Sequence, residues 1–192
     1  MRYPPEHKAD IHQKIVNDTS RRLRAEGLSG AAVSTVMQAA GLTHGGFYKH
    51  FANKNDLLIQ SLREAFEQIT NALTLDASRS KPHEAWKTVV KTYLSPEHCD
   101  HPEHGCPLAA LASELVRTDK TIKPLIAAEM VKYKTRLLPF MPGLCTTDKE
   151  GAFFAIFSTM IGAVAIARML PDPAMRKKVL ANARTFLFRS FR

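Results

Sequence analysis

Residues 41–50 set hydrogen-bonding side chains beside two adjacent glycines. The segment reads Gly-Leu-Thr-His-Gly-Gly-Phe-Tyr-Lys-His. Backbone N–H groups at the start of a helix point outward and, together with the helix dipole, favour a negatively charged partner. A helix that begins after Thr43 would therefore offer His44, Tyr48, Lys49 and His50 to a phosphate or to the edge of a base.

The glycine pair strengthens this interpretation. Two glycines inside a helix cost about 2 kcal/mol relative to alanine, and ordinary packing gives no reason to accept that cost at Gly45 and Gly46. Glycine removes side-chain bulk where a backbone must approach a large partner closely. The pair therefore favours a recognition surface for a duplex.

The residues around this segment predict the element that positions it. Apolar spacing predicts one short helix over 33–40 and a second over about 43–50, joined by a turn at Gly41, Leu42 and Thr43. Glycine can adopt the left-handed conformation that ends a helix, and a threonine hydroxyl can cap the next one. Two short helices in this arrangement have the dimensions of a helix-turn-helix motif.

Apolar residues recur at helical spacing along nearly the whole chain, and no stretch alternates convincingly with a period of two. We therefore predict an all-α fold. The pattern predicts further helices over 7–26, 57–73, 82–94, 107–118, 121–138, 147–170 and 173–191, with a polar loop over 95–105. A chain of about 190 residues fits a small domain joined to a larger one, and we place these domains at 1–55 and 56–192.

The 192 residues include 27 Lys and Arg against 18 Asp and Glu, a formal net charge of +9. Such a surplus favours a polyanionic partner, either nucleic acid or an anionic membrane surface that would hold the basic tail 172–192. The stretch 151–167 lacks charges but is at the short limit for a membrane span. We expect a buried helix there and no membrane partner.

The cysteines and the first residues of the chain indicate the expected cellular location. The three cysteines are irregularly spaced, so no disulfide framework is expected, and a reducing cytoplasm is the simplest location. The chain starts without the apolar core of a signal peptide.

The segment around the glycine pair resembles the TetR family, the tetracycline-repressor-like bacterial regulators. The family pattern is approximately Thr-Val-x-x-Ile-Ala-x-x-Ala-Gly-Val-Ser-x-Gly-x-Leu-Tyr-x-His-Phe-x-x-Lys-x-x-Leu. The matching positions in this chain are Val33, Val36, Ala40, Gly41, Leu42, Thr43, Gly45, Phe47, Tyr48, His50, Phe51, Lys54 and Leu57. The resemblance covers about the first third of the chain.

The resemblance implies an N-terminal three-helix head with a helix-turn-helix, followed by a helical ligand-binding and dimerisation domain. It implies a homodimeric repressor that binds a palindrome in double-stranded DNA and is released by a small-molecule effector, with no catalysis and no cofactor. The implied DNA contacts are Ser34 and Thr35 on one phosphate strand, Thr43, His44, Gly45 and Gly46 in the major groove, and Tyr48, His50 and Lys54 on phosphates, with Lys49 as a further donor. Phe47 and Phe51 are expected to anchor the core. The alternative for His44, His50 and Lys54 is a side chain that is exposed to solvent and does not contact DNA.

Small residues recur within the helix predicted over 147–170, where they would let a second helix approach closely. We expect this helix and the last one to pair with their copies in a second subunit. The predicted interface residues are Ala155, Ser158, Thr159, Gly162, Ala163 and Ala167. The alternative is an internal core helix in a monomer.

An apolar cavity among the middle helices is the expected effector site. Its predicted lining is Trp86, Tyr93, Cys106, Leu111, Met130 and Phe153. The same residues would equally fit an ordinary core.

Cys106 precedes Pro107, and proline suits the first position of a helix, so the thiol is predicted to lie at the helix cap. The dipole there would lower the pKa of the thiol and favour the thiolate. Three roles stay open: a sensor of a reactive small molecule, a capping residue, and the reactive group of a small helical redox or thiol-dependent enzyme. The nearby His98 and Cys99 lack the spacing of a structural zinc site, so no metal is expected.

Overall fold

The computed structural model describes residues 5–118 and 120–191. Its α-helices, in chain order, are α1 (Pro5–Glu26), α2 (Val33–Ala39), α3 (Lys54–Ser78), α4 (Ala85–Tyr93), α5 (Pro96–Asp100), α6 (Pro107–Leu115), α7 (Ile122–Leu137), α8 (Thr146–Met169) and α9 (Pro173–Ser190). Short 3₁₀ helices occupy Gly27–Ala31, His44–Lys49, Pro102–His104 and Leu138–Phe140. Neither described range contains a strand, and the predicted all-α fold class is confirmed.

Three apolar clusters organise the molecule. The head cluster consists of Ile15, Val16, Val36, Met37, Phe47, Phe51 and Leu57. The junction cluster consists of Leu23, Ala31, Leu58, Leu62, Leu111, Leu115 and Ile122. The body cluster is the largest and draws its side chains mainly from α3, α4, α7, α8 and α9.

Helix α3 takes part in all three clusters. Leu57 belongs to the head cluster, Leu58 to the junction cluster and Leu73 to the body cluster. Because α3 begins at Lys54, the domain boundary predicted after residue 55 falls inside its first turn. The head therefore continues into the rest of the molecule through an unbroken helix.

The segment predicted as a helix over about 43–50 is a 3₁₀ helix. The Gly46 N–H donates to the Thr43 carbonyl at 2.9 Å, the three-residue spacing that defines this tighter turn. Two glycines disfavour the α-helical alternative. Gly41 adopts a φ of +71° as predicted, whereas the Thr43 side chain makes no capping hydrogen bond, so the predicted threonine cap is wrong.

The stretch 95–105, predicted as a loop, is also helical. It contains α5 and the 3₁₀ helix Pro102–His104. The Ser95 hydroxyl accepts a hydrogen bond from the His98 N–H at 3.1 Å, and Pro96 occupies the first turn. Both are ordinary signals for the start of a helix. Five residues are too few to show a helical period, which explains the miss.

Helix α8 is long and apolar enough to cross a membrane by length and composition alone, with a mean hydropathy of 1.8 in its most apolar window. Within that window, 44% is buried inside the protein. Phe153, Ile156 and Met160 on α8 contribute to the body cluster, so one side of the helix packs against the core.

Candidate DNA-binding surface and effector site

The recognition segment, residues 43–50, is anchored on one side by aromatic rings. Phe47 and Phe51 are 1% and 2% exposed, and their ring centroids lie 5.4 Å apart. Met37 of α2 packs next to Gly46, since a Cβ built on Gly46 would lie 3.5 Å from the Met37 Cε. These contacts hold the segment against α1 and α2, and both phenylalanines are core anchors as expected.

The other side of the recognition segment faces solvent. Tyr48 is 70% exposed, an unusual position for a large aromatic side chain. The predicted DNA contacts that are exposed are Ser34, Thr35, Thr43, His44, Gly45, Tyr48, Lys49 and Lys54. Gly46 and His50 are half-buried. The predicted set therefore lies at the surface of the head, where a large partner has access to it.

The fold itself does not require a glycine at position 45. A Cβ built there meets nothing within 4 Å, and Gly45 does not adopt a positive φ, in contrast to Gly41. A side chain at position 45 would thus fit the protein but would project into the space in front of the recognition segment. Packing within the protein therefore gives no reason for a glycine at position 45.

His50 packs against a second histidine that the sequence pattern did not reveal. The His12 ring from α1 lies 6.1 Å from the His50 ring and stacks on Phe51 at 4.6 Å. Burial, followed by the charges of His12, Lys8 and Lys49, lowers the pKa of His50. Its buried Nδ1 atom has no hydrogen-bond partner. A phosphate next to His50 would meet a cluster of basic groups.

Helix α3 begins at a side-chain cap, and Lys54 is the first residue after it. The Asn53 side chain accepts from the Asp56 N–H at 2.9 Å, and Asp56 accepts from the Ala52 N–H at 3.0 Å. Hydrogen bonds from Gln60 and Ala52 lower the pKa of Asp56. The apolar spacing begins only at Leu57 and so did not reveal this cap, which lies one turn earlier.

We expect Asn53→Ala to lower the free energy of unfolding by about 1 kcal/mol, because an alanine cannot accept the Asp56 N–H. Thermal unfolding monitored by circular dichroism measures the change. Asn55→Ala is the matched control, since Asn55 is exposed in the first turn of the same helix. Equal melting temperatures for the two variants would contradict a capping role.

The residues predicted to line an effector cavity are packed into the protein. Trp86, Tyr93, Cys106 and Phe153 belong to the body cluster, and half-buried Met130 packs against it. Leu111 instead belongs to the junction cluster, so the structure does not place it with the others.

Tyr133 is an interior residue that the sequence analysis missed. Tyr93 and Tyr133 are 0% and 1% exposed. The Tyr133 hydroxyl is buried without a hydrogen-bond partner, whereas the Tyr93 hydroxyl has the Cys106 thiol beside it. Their rings flank Phe157 at 6.0 Å and 5.0 Å. A buried polar group without a partner is costly. These two hydroxyls place polar groups inside an otherwise apolar cluster.

Cys106 occupies the cap position of α6, with Pro107 in the first turn, as predicted. Its expected reactivity, however, is contradicted. The side chain is 0% exposed, and burial raises the pKa of the thiol instead of lowering it. Desolvation outweighs the helix dipole here, since a buried thiolate loses its hydration. A buried thiol with a raised pKa is a poor nucleophile, which argues against the thiol-dependent enzyme as the alternative.

The polar side chains near Cys106 are engaged in contacts within the protein. His98 Nδ1 lies 2.6 Å from the Tyr93 carbonyl, and Asp100 pairs with Arg176 of α9 at 2.7 Å. Across the described residues, no three His, Cys, Asp or Glu side chains converge as metal ligands would.

Helices α8 and α9 carry an exposed apolar surface. Ala155 and Ser158 are exposed, and Thr159 and Gly162 are half-buried. Ala163 and Ala167, predicted at the same interface, are instead 7% and 0% exposed and face the protomer's own core. Large exposed apolar side chains on these two helices are Phe154, Ile166, Met169, Met175 and Phe186.

The N-terminal part of the chain matches a known family. Residues 15–60 match the family model described as bacterial regulatory proteins, tetR family. A Haemophilus influenzae protein described as an uncharacterized HTH-type transcriptional regulator is 28% identical over 87 residues, covering 43% of this chain and 46% of that protein. The match thus spans less than half the length of that relative.

Solved structures resemble the chain over nearly its full length. A TetR-family transcriptional regulator from Cytophaga hutchinsonii superposes with a TM-score of 0.76 at 19% identity, covering 99% of this chain and 98% of that one. A TetR transcriptional regulator from Chloroflexus aurantiacus gives 0.77 at 21% identity, covering 95% and 94%. At these identities the likeness extends to the fold, a helix-turn-helix head followed by a helical domain.

Proposed function

Because this chain belongs to the TetR family of bacterial regulatory proteins, we propose that it is a DNA-binding transcriptional regulator that acts as a homodimeric repressor on a palindromic site. The observation that carries the proposal is the recognition segment. Its buried face is anchored by Phe47, whereas its exposed face presents Tyr48 and a glycine at position 45 that the fold does not need.

The proposed DNA contacts fall into two groups, those to bases and those to phosphates. His44 and Thr43, next to the slender Gly45 and Gly46, enter the major groove and read base edges. The phosphate contacts are Ser34, Thr35, Tyr48, Lys49, His50 and Lys54. Contacts to phosphates fix the register of a protein on the duplex, whereas contacts to bases specify the sequence.

A second copy of the chain covers the exposed apolar surface of α8 and α9. Cβ atoms built on Gly151 and Gly162 meet nothing within 4 Å, so α8 has room for a closely packed neighbour. Two helices from each subunit then form a four-helix interface with isologous symmetry. Two recognition segments about 34–36 Å apart would reach successive major grooves on one side of the duplex.

A small-molecule effector with hydrogen-bonding groups binds near Tyr93 and Tyr133 and releases the repressor from DNA. The buried hydroxyls of Tyr93 and Tyr133, of which only that of Tyr93 has a neighbouring side-chain partner, support this location. An effector that binds one arrangement of the heads better than the other shifts the population between them. We place the protein in the cytoplasm, with no membrane partner and no cofactor.

The test of DNA binding is selection from a random double-stranded library, followed by titration at several salt concentrations. A regulator enriches one palindrome, and its log affinity falls steeply with log salt as counterions are released. Failure to enrich any sequence would refute the proposal. Binding to anionic vesicles without DNA preference would favour the membrane-surface alternative.

Two alanine variants separate the assigned DNA contacts. We expect His44→Ala to change the preferred base pair, with about 1–3 kcal/mol of discrimination lost at that position. Lys54→Ala should weaken binding to every sequence alike and reduce the salt slope by about 1. Lys91→Ala is the control, because Lys91 is an exposed lysine on α4. An equal loss on all sequences for His44→Ala would overturn its assignment.

A further inference from the structure

Arg24 is a buried charge at the place where α1 meets the rest of the molecule. Its side chain is 2% exposed. Its guanidinium donates to the Gly105 carbonyl at 3.0 Å, to Gln68 of α3 at 2.6 Å and to the Ser20 carbonyl at 3.1 Å. Among the described residues, no carboxylate lies within ion-pairing distance of Arg24. The contact with Gly105 joins residues 81 apart in sequence.

The turn that presents the Gly105 carbonyl is held by His98. The Cys106 N–H donates to His98 Nε2 at 3.0 Å, while His98 Nδ1 lies 2.6 Å from the Tyr93 carbonyl. Because a carbonyl only accepts, Nδ1 carries the proton and Nε2 is the acceptor. Burial lowers the pKa of His98 to about 4, so the neutral ring persists at neutral pH.

Helix α8 reaches the same turn through Arg168. This side chain donates to the carbonyls of Cys99 and His98 at 3.0 Å and 2.8 Å. A Cβ built on Gly105 would lie 2.8 Å from Arg168 Nη2 and 2.9 Å from His98 Nε2. Both distances are too short, so only glycine fits between these groups in their present positions.

We propose that the hydrogen bond from Arg24 to the Gly105 carbonyl is the contact through which the C-terminal domain sets the orientation of the DNA-binding head, with Arg24, His98 and Arg168 as positioning residues. The inference rests on the proposed function as a dimeric DNA-binding protein. In this arrangement the hydrogen bond of Arg24 links the head to the body, where Tyr93 and Cys106 lie.

The chemistry of the contact explains why it is specific for one arrangement. The apolar junction cluster tolerates small shifts, because dispersion contacts are non-directional. A buried guanidinium does not tolerate such shifts. If it moves away from its acceptors, its charged N–H groups are left desolvated and unpaired. A displacement of the Gly105 turn by a bound effector would therefore pull α1 with it or break the contact, and either result gives two discrete head positions.

The test compares the selected palindrome with a single half-site, using the full-length protein. Arg24→Met replaces the arginine by an unbranched side chain that resembles its aliphatic part but cannot donate the hydrogen bonds. We expect about tenfold weaker binding to the palindrome and half-site binding within twofold of the parent, because each head stays folded while the pair loses its fixed spacing. Arg21→Met, an exposed arginine on the same helix, should match the parent on both probes.

Gly105→Ala alters the contact from outside the head. Its methyl group displaces Arg168 and His98, and it should reproduce the selective loss on the palindrome. Spin labels on Asn55→Cys in a Cys145→Ser background report the distance between heads, since Cys145 is exposed whereas Cys99 and Cys106 are buried. We expect both variants to broaden or shift the distance distribution of the parent.

The outcomes separate the inference from the proposed function. Equal losses on palindrome and half-site would assign Arg24 to folding of the head alone and overturn the inference, as would an unchanged distance distribution in both variants. If the parent shows no distance between labels or enriches no palindrome, the dimeric DNA-binding function itself fails.

Discussion

Phe186→Arg should convert the protein into a monomer and weaken its binding to the palindrome by about a hundredfold. Phe186 is 59% exposed on α9, on the surface that we assign to the second subunit. An arginine there would have to be desolvated without a partner, which opposes association. Loss of the dimer also removes the high effective concentration that lets a second head bind once the first is in place.

Sedimentation equilibrium and DNA titration measure the two parts of this prediction. Val131→Arg is the matched control, because Val131 is 60% exposed but lies on α7. A dimeric Phe186→Arg protein, or a monomeric Val131→Arg protein, would show that the subunits meet through another surface.

Gly45→Ala should change folding and DNA binding in opposite directions. The new methyl group meets nothing in the protein, and alanine is favoured over glycine in helical segments, so the free energy of unfolding should rise by about 0.5–1 kcal/mol. On DNA the same group occupies the space that the duplex must approach. We expect affinity to fall about tenfold, equivalent to about 1.4 kcal/mol.

Gly41→Ala separates this effect from that of a strained backbone. A Cβ on Gly41 also meets nothing within 4 Å, but its φ of +71° is strained for any other residue. That variant should therefore be less stable, whereas Gly45→Ala should be more stable. Undiminished DNA affinity of Gly45→Ala would remove the main support for close approach at the recognition segment.

Long helices and their packing were predictable because apolar spacing repeats over several turns. Leu58, Leu62, Phe66, Ile69 and Leu73 recur at helical spacing and are buried along one face of α3. Short elements have no such period. Helix α5 was missed for that reason, although Ser95 and Pro96 carried its start signals.

The four-residue spacing of small residues on α8 predicted only in part which of them are exposed. Ala155, Thr159, Ala163 and Ala167 are four residues apart, and each step of four overshoots a full turn by about 40°. Three steps therefore rotate the series by about 120°. This rotation takes Ala155 at the surface to Ala167 in the core.

Burial of individual chemical groups was not predictable at the candidate sites. The thiol of Cys106 was expected to ionise readily, but the sequence does not reveal how tightly α4, α7 and α8 enclose it. The contact of Arg24 with Gly105 spans a distance in sequence that no local pattern records. Tyr48 and Lys49 are exposed, as the helix-turn-helix motif implies, and their contact with DNA stays a prediction.

Helix α3 is unbroken from the head to the body, so a tilt at one end displaces the other. Its 25 residues make it about 38 Å long. A tilt of only about 5° at the body end would carry the other end through about 3 Å, roughly the length of one hydrogen bond. Sub-ångström adjustments around a bound molecule would thus be magnified before they arrive at the base pairs.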